Sequence, residues 1–224
     1  MQRLEFTGRK LLAHDVWEYS FIPERPIEYV PGQYARFTFP YPIADPRGKQ
    51  HRTFSFVSHP SEPTIRFITR LDSPLSVFKQ PLSELPLGAT MYIDEPHGDA
   101  ILPRLATTPV IFIAQGIALA SYLSMFQDVA LHHLAHPISL LWVRGQQDAQ
   151  LLSLAPAITF QHKLELTYPE RLTVEHVIPY DSPDSLLYLS GSQVFVETLG
   201  SALEASGIPR ERIIYDYYSG YADL

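Results

Sequence analysis

The stretch "IFIAQGIALASYL", Ile111 to Leu123, decides how the second half of this 224-residue chain folds. Four apolar residues, Ile111 to Ala114, run through one glycine, Gly116, into a segment of small and helix-forming residues. That is the texture of a buried parallel strand turning into a helix, the kind of turn at which phosphate groups are held. A membrane span competes with this reading, because Leu105 to Gln127 contains no charged residue and is long enough to cross a bilayer. Pro109, the Gln115-Gly116 pair, and Ser121 and Ser124 interrupt the run and favour strand, turn and helix.

Outward from this stretch the texture differs on the two sides. Before it come six short strand-like runs, "LEFTGRKLL", "VWEYSFI", "QYARFTF", "RTFSFVS", "TIRFITR" and "TMYIDEP", separated by proline and glycine turns such as "PYPIADPRG" and "HPSEP". Such spacing predicts an antiparallel barrel or sandwich. After it, "ISLLWVR", "KLELTY", "SLLYLSG" and "RIIYDYY" alternate with helical segments, among them "ALASYLSMFQDVALHHLA" and "SQVFVETLGSALEASG". Alternation of this kind predicts a parallel sheet with right-handed crossovers. The fold class expected is therefore a two-domain chain: an antiparallel β-barrel over residues 1–105, then an α/β, Rossmann-like parallel-sheet domain over residues 106–224. In open parallel sheets ligands sit at the carboxyl ends of the strands, so "AQGIALA" and "LSGSQ" are the loops where a ligand is expected.

Composition narrows the function. The chain has no cysteine, hence no disulfide, no thiolate iron-sulfur cluster and no Cys-based zinc site, and any redox chemistry needs a bound cofactor or a partner. The net charge of -7 is uneven: residues 1–104 hold 12 Lys/Arg against 12 Asp/Glu, the rest 5 against 12. An acidic surface argues against nucleic-acid binding. The amino terminus shows no apolar core of a signal peptide, so a cytoplasmic location without a transmembrane segment is expected. His132 and His136, four apart, have a spacing that can hold a metal, but no partner carboxylate is evident and no metal site is expected.

"HRTFSF", His51 to Phe56, places a cation, an aromatic ring and a hydroxyl within four residues. A flavin dinucleotide asks for these three, and an ordinary alternating strand supplies them equally well. The wider set tips the balance: "YVPGQYARF", "HRTFSFVSHP", "IRFITR", "LSVFKQPLSELPLGATMYIDEPHGD", "IFIAQGIALASY", "LLWVRGQQDAQLL", "LYLSGS" and "IIYDYYSGY", in this order and spacing. The ordered set resembles the ferredoxin:NADP reductase family of flavoproteins, in particular its short bacterial members, over nearly the whole chain.

The resemblance implies an FAD-binding barrel and an NAD(P)-binding-like second domain. Arg52, Thr53, Phe54 and Ser55 match the family's RxYS motif, with Phe54 in the tyrosine position. Arg52 is then the partner of the pyrophosphate, Phe54 lies against the isoalloxazine and Ser55 bonds near N5. Strict alternation puts Ser55 opposite Arg52 and Phe54, so the strand must twist or end there. Ile68, Thr69 and Arg70 match the next FAD contact, and Leu75 and Ser76 the turn whose N–H groups face the pyrophosphate. Gly116, Ile117, Arg144, Gly191 and Ser192 match nucleotide contacts. Ser190 takes the place of the cysteine in a Cys-Gly-Pro loop near the reacting nicotinamide carbon. Tyr221 or Tyr218, in a tail resembling DxFxGY, covers the flavin; Asp216 serves the flavin site or a turn. Ser55, Ser190 and Tyr221 are thus the expected catalytic residues.

The first loop departs from the family's AGGIGITPF. Gln115 and Ala118 replace glycines, and Ala120-Ser121 replace the Thr-Pro pair. A Cβ where the turn needs positive φ costs energy, and Gln115 extends toward the place of an incoming ligand. Three functions stay open: an FAD-dependent oxidoreductase that passes electrons from NADH or NADPH to a protein or small-molecule acceptor; an FAD-binding subunit fed by a partner; and a flavin-free interaction protein. Ferredoxin or flavodoxin are the acceptor proteins considered, with Arg36, Arg47, Lys49 and Arg52 as the charges that meet an acidic one.

Overall fold

A computed structural model describes residues 1–46 and 48–218, with backbone alone at Tyr217 and Tyr218. Arg47, Tyr221 and the side chain of Tyr218 lie outside the described residues. The chain divides into two compact units, Met1–Ile101 and Leu102–Leu224.

The first unit is an antiparallel sheet of six strands: β1 (Gln2–Ala13), β2 (Val16–Pro23), β3 (Tyr34–Thr38), β4 (His51–Ser55), β5 (Ile65–Arg70) and β6 (Thr90–Ile93). A short helix, α1 (Lys79–Ser83), precedes β6. The order across the sheet is β4-β3-β6-β1-β2-β5, with every pairing antiparallel. Strand β3 alternates as the sequence demands: Ala35 and Phe37 are buried while Arg36 between them is exposed. The inward residues form one aromatic-rich core in which Phe67 lies within ring-contact distance of Tyr19, Phe21, Phe37 and Phe54.

The two outermost strands, β4 and β5, are brought round toward each other. Just beyond β4, Val57 N–H donates to Arg66 O at 2.9 Å, and Phe54 stacks face to face on Phe67, centroids 4.0 Å apart at 4°. Along β4 itself no ladder crosses to β5, because β4 pairs with β3 alone and β5 with β2 alone. The result is a barrel with a seam, and the backbone groups along that seam are left for other partners.

The second unit is a five-stranded parallel sheet: β7 (Val110–Gln115), β8 (Ile138–Arg144), β9 (His162–Thr167), β10 (Leu186–Ser192) and β11 (Ile213–Tyr218). Its helices are α2 (Leu123–His132), α3 (Val174–Val177) and α4 (Gln193–Ala205). The order is β11-β10-β7-β8-β9, so the unit's first strand in the chain is the central one. Val110 to Ala114 are all buried, which accounts for the uninterrupted apolar run. One face packs Ile111 and Ile113 against Val196, Leu199 and Leu203, and the other packs Phe112 against Tyr122, Phe126 and Tyr188. No helix among the described residues is long and apolar enough to cross a membrane.

The helix expected from Ala118 starts later. Gly116 to Tyr122 form a 3-10 helix and α2 begins at Leu123, because Gly116 leaves the strand at φ +57° and the Ser121 hydroxyl lies 2.9 Å from Ala118 O, holding the tighter turn. Its end also moves: α2 stops at His132 with His133 left-handed at φ +51°, so His132 and His136 do not share a helical face. His132 instead pairs with Asp128 at 3.0 Å, and His136 meets Thr108 O at 3.0 Å.

Candidate functional site

In the first unit the residues singled out from the sequence gather along the seam. β4 ends at Ser55, and alternation breaks there: Thr53 is exposed while Phe54 and Ser55 are both buried. The ring of Phe54 is 8% exposed, with one face on Phe67 and its edge toward Phe37, so it anchors the strand in the barrel core. The Ser55 hydroxyl makes no hydrogen bond among the described residues, although the residue is buried. On β5, Ile68 and Thr69 are buried, the Thr69 hydroxyl is likewise without a partner among the described residues, and Arg70 Nη1 meets Asp15 Oδ1 at 2.8 Å.

Arg52 leaves β4 half-buried. Its Nη2 meets Asp45 Oδ2 at 2.9 Å, its Nη1 donates to His51 O at 2.9 Å, and its guanidinium lies over the Phe78 ring, 5.6 Å from the centroid. Phe78 also contacts Phe54, centroids 6.2 Å apart. It thereby brings the Leu75–Ser76 turn beside the strand that carries Arg52. In that turn the Ser76 hydroxyl accepts from Lys79 N–H at 3.3 Å, and the N–H groups of Ser76, Val77 and Phe78 donate to nothing among the described residues. Asp45 and Phe78 join this cluster without having been expected from the sequence. Asp45 sits in a proline-rich loop with no local signal for its pairing, and Phe78 reads as an ordinary core residue.

This donor set fits a flavin dinucleotide. Free backbone N–H groups and a forked guanidinium suit a pyrophosphate, and an unpartnered hydroxyl beside an unpaired strand edge suits the polar rim of a flat ring. Arg52, Arg70 and Lys79 each pair with a carboxylate, of Asp45, Asp15 and Asp72. The site therefore offers directed donors with little net positive charge.

In the second unit the sheet order makes a switch point. The chain goes from β7 to β8 on one side and returns to β10 on the other, so a crevice opens at the carboxyl ends of β7 and β10. Gly116, Ile117, Ser190, Gly191 and Ser192 all stand there. The Trp142 indole N–H donates to Gly116 O at 2.9 Å and fixes the first turn. Gln115 Oε1 accepts from Ser192 N–H at 3.1 Å and from its hydroxyl at 2.7 Å. Gly191 allows this approach: a Cβ there would lie 2.6 Å from the Phe195 ring and 2.9 Å from Gln115 Cβ.

Beneath this crevice runs a chain of hydroxyls. Ser121 Oγ lies 3.2 Å from Ser190 Oγ, which donates to Asp216 Oδ2 at 2.9 Å. Burial pushes the Asp216 carboxyl above its ordinary range, and hydrogen bonds from Ser190 and Ser121 pull only partly back. Ser190 thus stands near the carboxyl end of β10, with Asp216 as its acceptor. Arg144, at the end of β8, is outside this network; its Nε donates to Glu165 Oε2 at 3.0 Å and its guanidinium lies over Trp142.

A seamed antiparallel barrel followed by a five-stranded parallel sheet is the fold that this chain shares with the solved structures it superposes on. No family model matches the chain. It is 28% identical over 232 residues to the ferredoxin-NAD(P)+ reductase component of the naphthalene 1,2-dioxygenase system of Pseudomonas putida, covering 93% of this chain and 66% of that one. It is 30% identical over 137 residues to the corresponding component of the naphthalene 1,2-dioxygenase/salicylate 5-hydroxylase systems of Ralstonia sp, covering 61% of this chain and 40% of that one. The chain thus spans roughly half the length of these relatives. A ferredoxin NADP+ reductase from Neisseria gonorrhoeae, solved with bound FAD and NADP, superposes with a TM-score of 0.76 at 13% identity, covering 96% of this chain and 97% of that one. In sequence the chain is thus similar to ferredoxin-NAD(P)+ reductase components, and in fold to a ferredoxin NADP+ reductase.

Two outcomes are expected. Arg52→Ala removes a charged hydrogen-bond partner of the nearly inaccessible Asp45 carboxylate, so it should cost about 1.5–3 kcal/mol in urea unfolding, and Arg52→Ala/Asp45→Asn should recover part of that loss. Equal losses in both would show that the pair does not hold this loop. Because the folded pKa of Asp216 is raised, folding must work against its ionisation once the pH exceeds the unfolded value of about 3.9. Asp216→Asn should therefore raise the melting temperature at pH 7, with a gain that shrinks toward pH 4. A gain independent of pH would contradict the burial argument.

Proposed function

We propose that this protein is an FAD-dependent NAD(P)H oxidoreductase that passes electrons through the flavin to an acceptor, with a ferredoxin-type protein as the acceptor class. The observation that supports this most strongly is the pairing, in one chain, of an anion-binding strand seam with a parallel-sheet switch point lined by Gly116, Ser190 and Gly191. FAD held here would supply hydride chemistry toward a reduced nicotinamide and one- or two-electron chemistry toward the acceptor.

The chain's own residues supply binding and orientation. Arg52 and the N–H groups of Ser76 to Phe78 hold the pyrophosphate; Ser55 gives a hydroxyl to the ring's polar rim. Ser190, oriented by the Asp216 carboxylate, presents its hydroxyl oxygen toward the nicotinamide site, and Gly191 lets the ligand approach the backbone. Relatives named as reductase components of dioxygenase systems support the acceptor class. Reduced nicotinamide nucleotides are supplied inside cells, which favours the cytoplasm as the place of action.

A partner-fed flavoprotein is the second reading, and the Gln115 side chain across the crevice is the observation that favours it. The test is anaerobic addition of NADH, then NADPH, to FAD-loaded protein while the flavin absorbance is followed. Bleaching by either is expected. Tightly bound FAD that dithionite reduces and neither nucleotide touches would replace the proposal with the second reading; protein that takes up no FAD would overturn both.

A further inference from the structure

The strand order reverses at β7, with β8 on one side and β10 on the other, and the crevice so formed is spanned by one side chain of the protein itself. Gln115, the last residue of β7, reaches across to Ser192, the last residue of β10 and the cap of the thirteen-residue helix α4. Its carbonyl oxygen takes both the Ser192 N–H and the Ser192 hydroxyl. The Ser192 hydroxyl oxygen in turn accepts from Phe195 N–H at 3.3 Å, so the glutamine closes a network that already caps the helix. The space beside Gly191 is filled to contact by Gln115 and Phe195.

A glutamine side chain ends in a primary carboxamide, the same group that substitutes the pyridine ring of nicotinamide. The donors it occupies, at residue 192, lie next to the Ser190-Gly191 pair to which the proposed function assigns the nicotinamide. We propose that Gln115 is an internal carboxamide gate: it holds the nicotinamide subsite closed and must swing out before the reduced nucleotide can seat. This rests on the reading of the second unit as a nicotinamide site.

The anchoring is one-sided, as a gate requires. Only the oxygen of the carboxamide is engaged, and its Nε2 donates to nothing among the described residues. Swinging out therefore loses two hydrogen bonds at one end, and side-chain rotation suffices. The backbone stays in place, because Gly116 is held independently by Trp142. Two net hydrogen bonds that share one acceptor oxygen, each near the weaker end of the ordinary range, keep roughly nine molecules in ten closed, which weakens apparent nucleotide affinity about tenfold. The gate acts on the nicotinamide end alone, so the adenosine end of the dinucleotide should not sense it.

The test is calorimetric titration of FAD-loaded wild type, Gln115→Ala and Gln115→Glu with NAD+, NADP+ and ADP-ribose, beside KM and kcat for the reduced nucleotides. The expected result is about tenfold tighter dinucleotide binding and lower KM in Gln115→Ala, with ADP-ribose affinity and FAD content unchanged. Gln115→Glu keeps both bonds to Ser192 in a stronger, charged form and should bind dinucleotide more weakly than wild type. Unchanged or weaker dinucleotide binding in Gln115→Ala, where wild type is reduced by a nicotinamide nucleotide, would overturn the gate and leave the proposed function standing. No binding and no reduction in any of the three would overturn the proposed function and the gate together.

Discussion

The central place of β7 constrains the second unit more than any other feature. A strand that begins the unit and ends up in the middle of a parallel sheet must have its successors laid on both sides, so its carboxyl end opens onto a crevice. Complete burial of Val110 to Ala114 fixes the strand, and the positive φ of Gly116, with its carbonyl tied to the Trp142 indole, fixes the exit from it. Ser190, Gly191 and Ser192 come to the same crevice because β10 is the neighbour of β7 in the sheet, 70-odd residues away in sequence. The chemistry of the crevice then follows from which side chains face it: a carboxamide across its mouth, hydroxyls below, and beneath them a carboxyl group whose ionisation burial disfavours.

The first unit solves a different problem. Its sheet is long enough to curl but stops pairing along β4 and β5, and aromatic stacking of Phe54 on Phe67 holds the two edges where a ladder does not. The Ser55 hydroxyl and the N–H groups of Ser76 to Phe78 are left without partners among the described residues, beside the paired Arg52 guanidinium. Pairing each nearby cation with a carboxylate keeps the unit neutral without removing these donors. A ligand rich in acceptors and flat in its apolar part uses such a surface better than a simple anion does.

Much of this was legible in the sequence. Six turn-separated strands followed by alternating strands and helices specify the two architectures, and "IFIAQGIALASYL" carries the strand, the glycine exit and the buried segment in order. Local chemistry was legible wherever it sits within a few residues, as at Arg52 to Ser55 and at Ser76. Contacts closed by the fold were not. Asp45 for Arg52, Ser192 for Gln115 and Asp216 for Ser190 are partners across sheet or loop, and no periodicity announces them. The 3-10 start after Gly116 was hidden for another reason: small residues suit both helix types, and a single hydroxyl contact from Ser121 tips the choice. The missing loop glycines were legible as a change, and the fold gives that change a partner.

Amide hydrogen exchange, measured peptide by peptide as ligands are added, tests the account's division of labour most directly. FAD should slow exchange at Arg52 to Ser55, Ile68 to Arg70 and Leu75 to Phe78, and a nicotinamide dinucleotide added next should slow it at Gln115 to Ile117 and Ser190 to Gln193. Slowing by FAD that spares the β4–β5 seam, or slowing by the dinucleotide that spares the ends of β7 and β10, would contradict it.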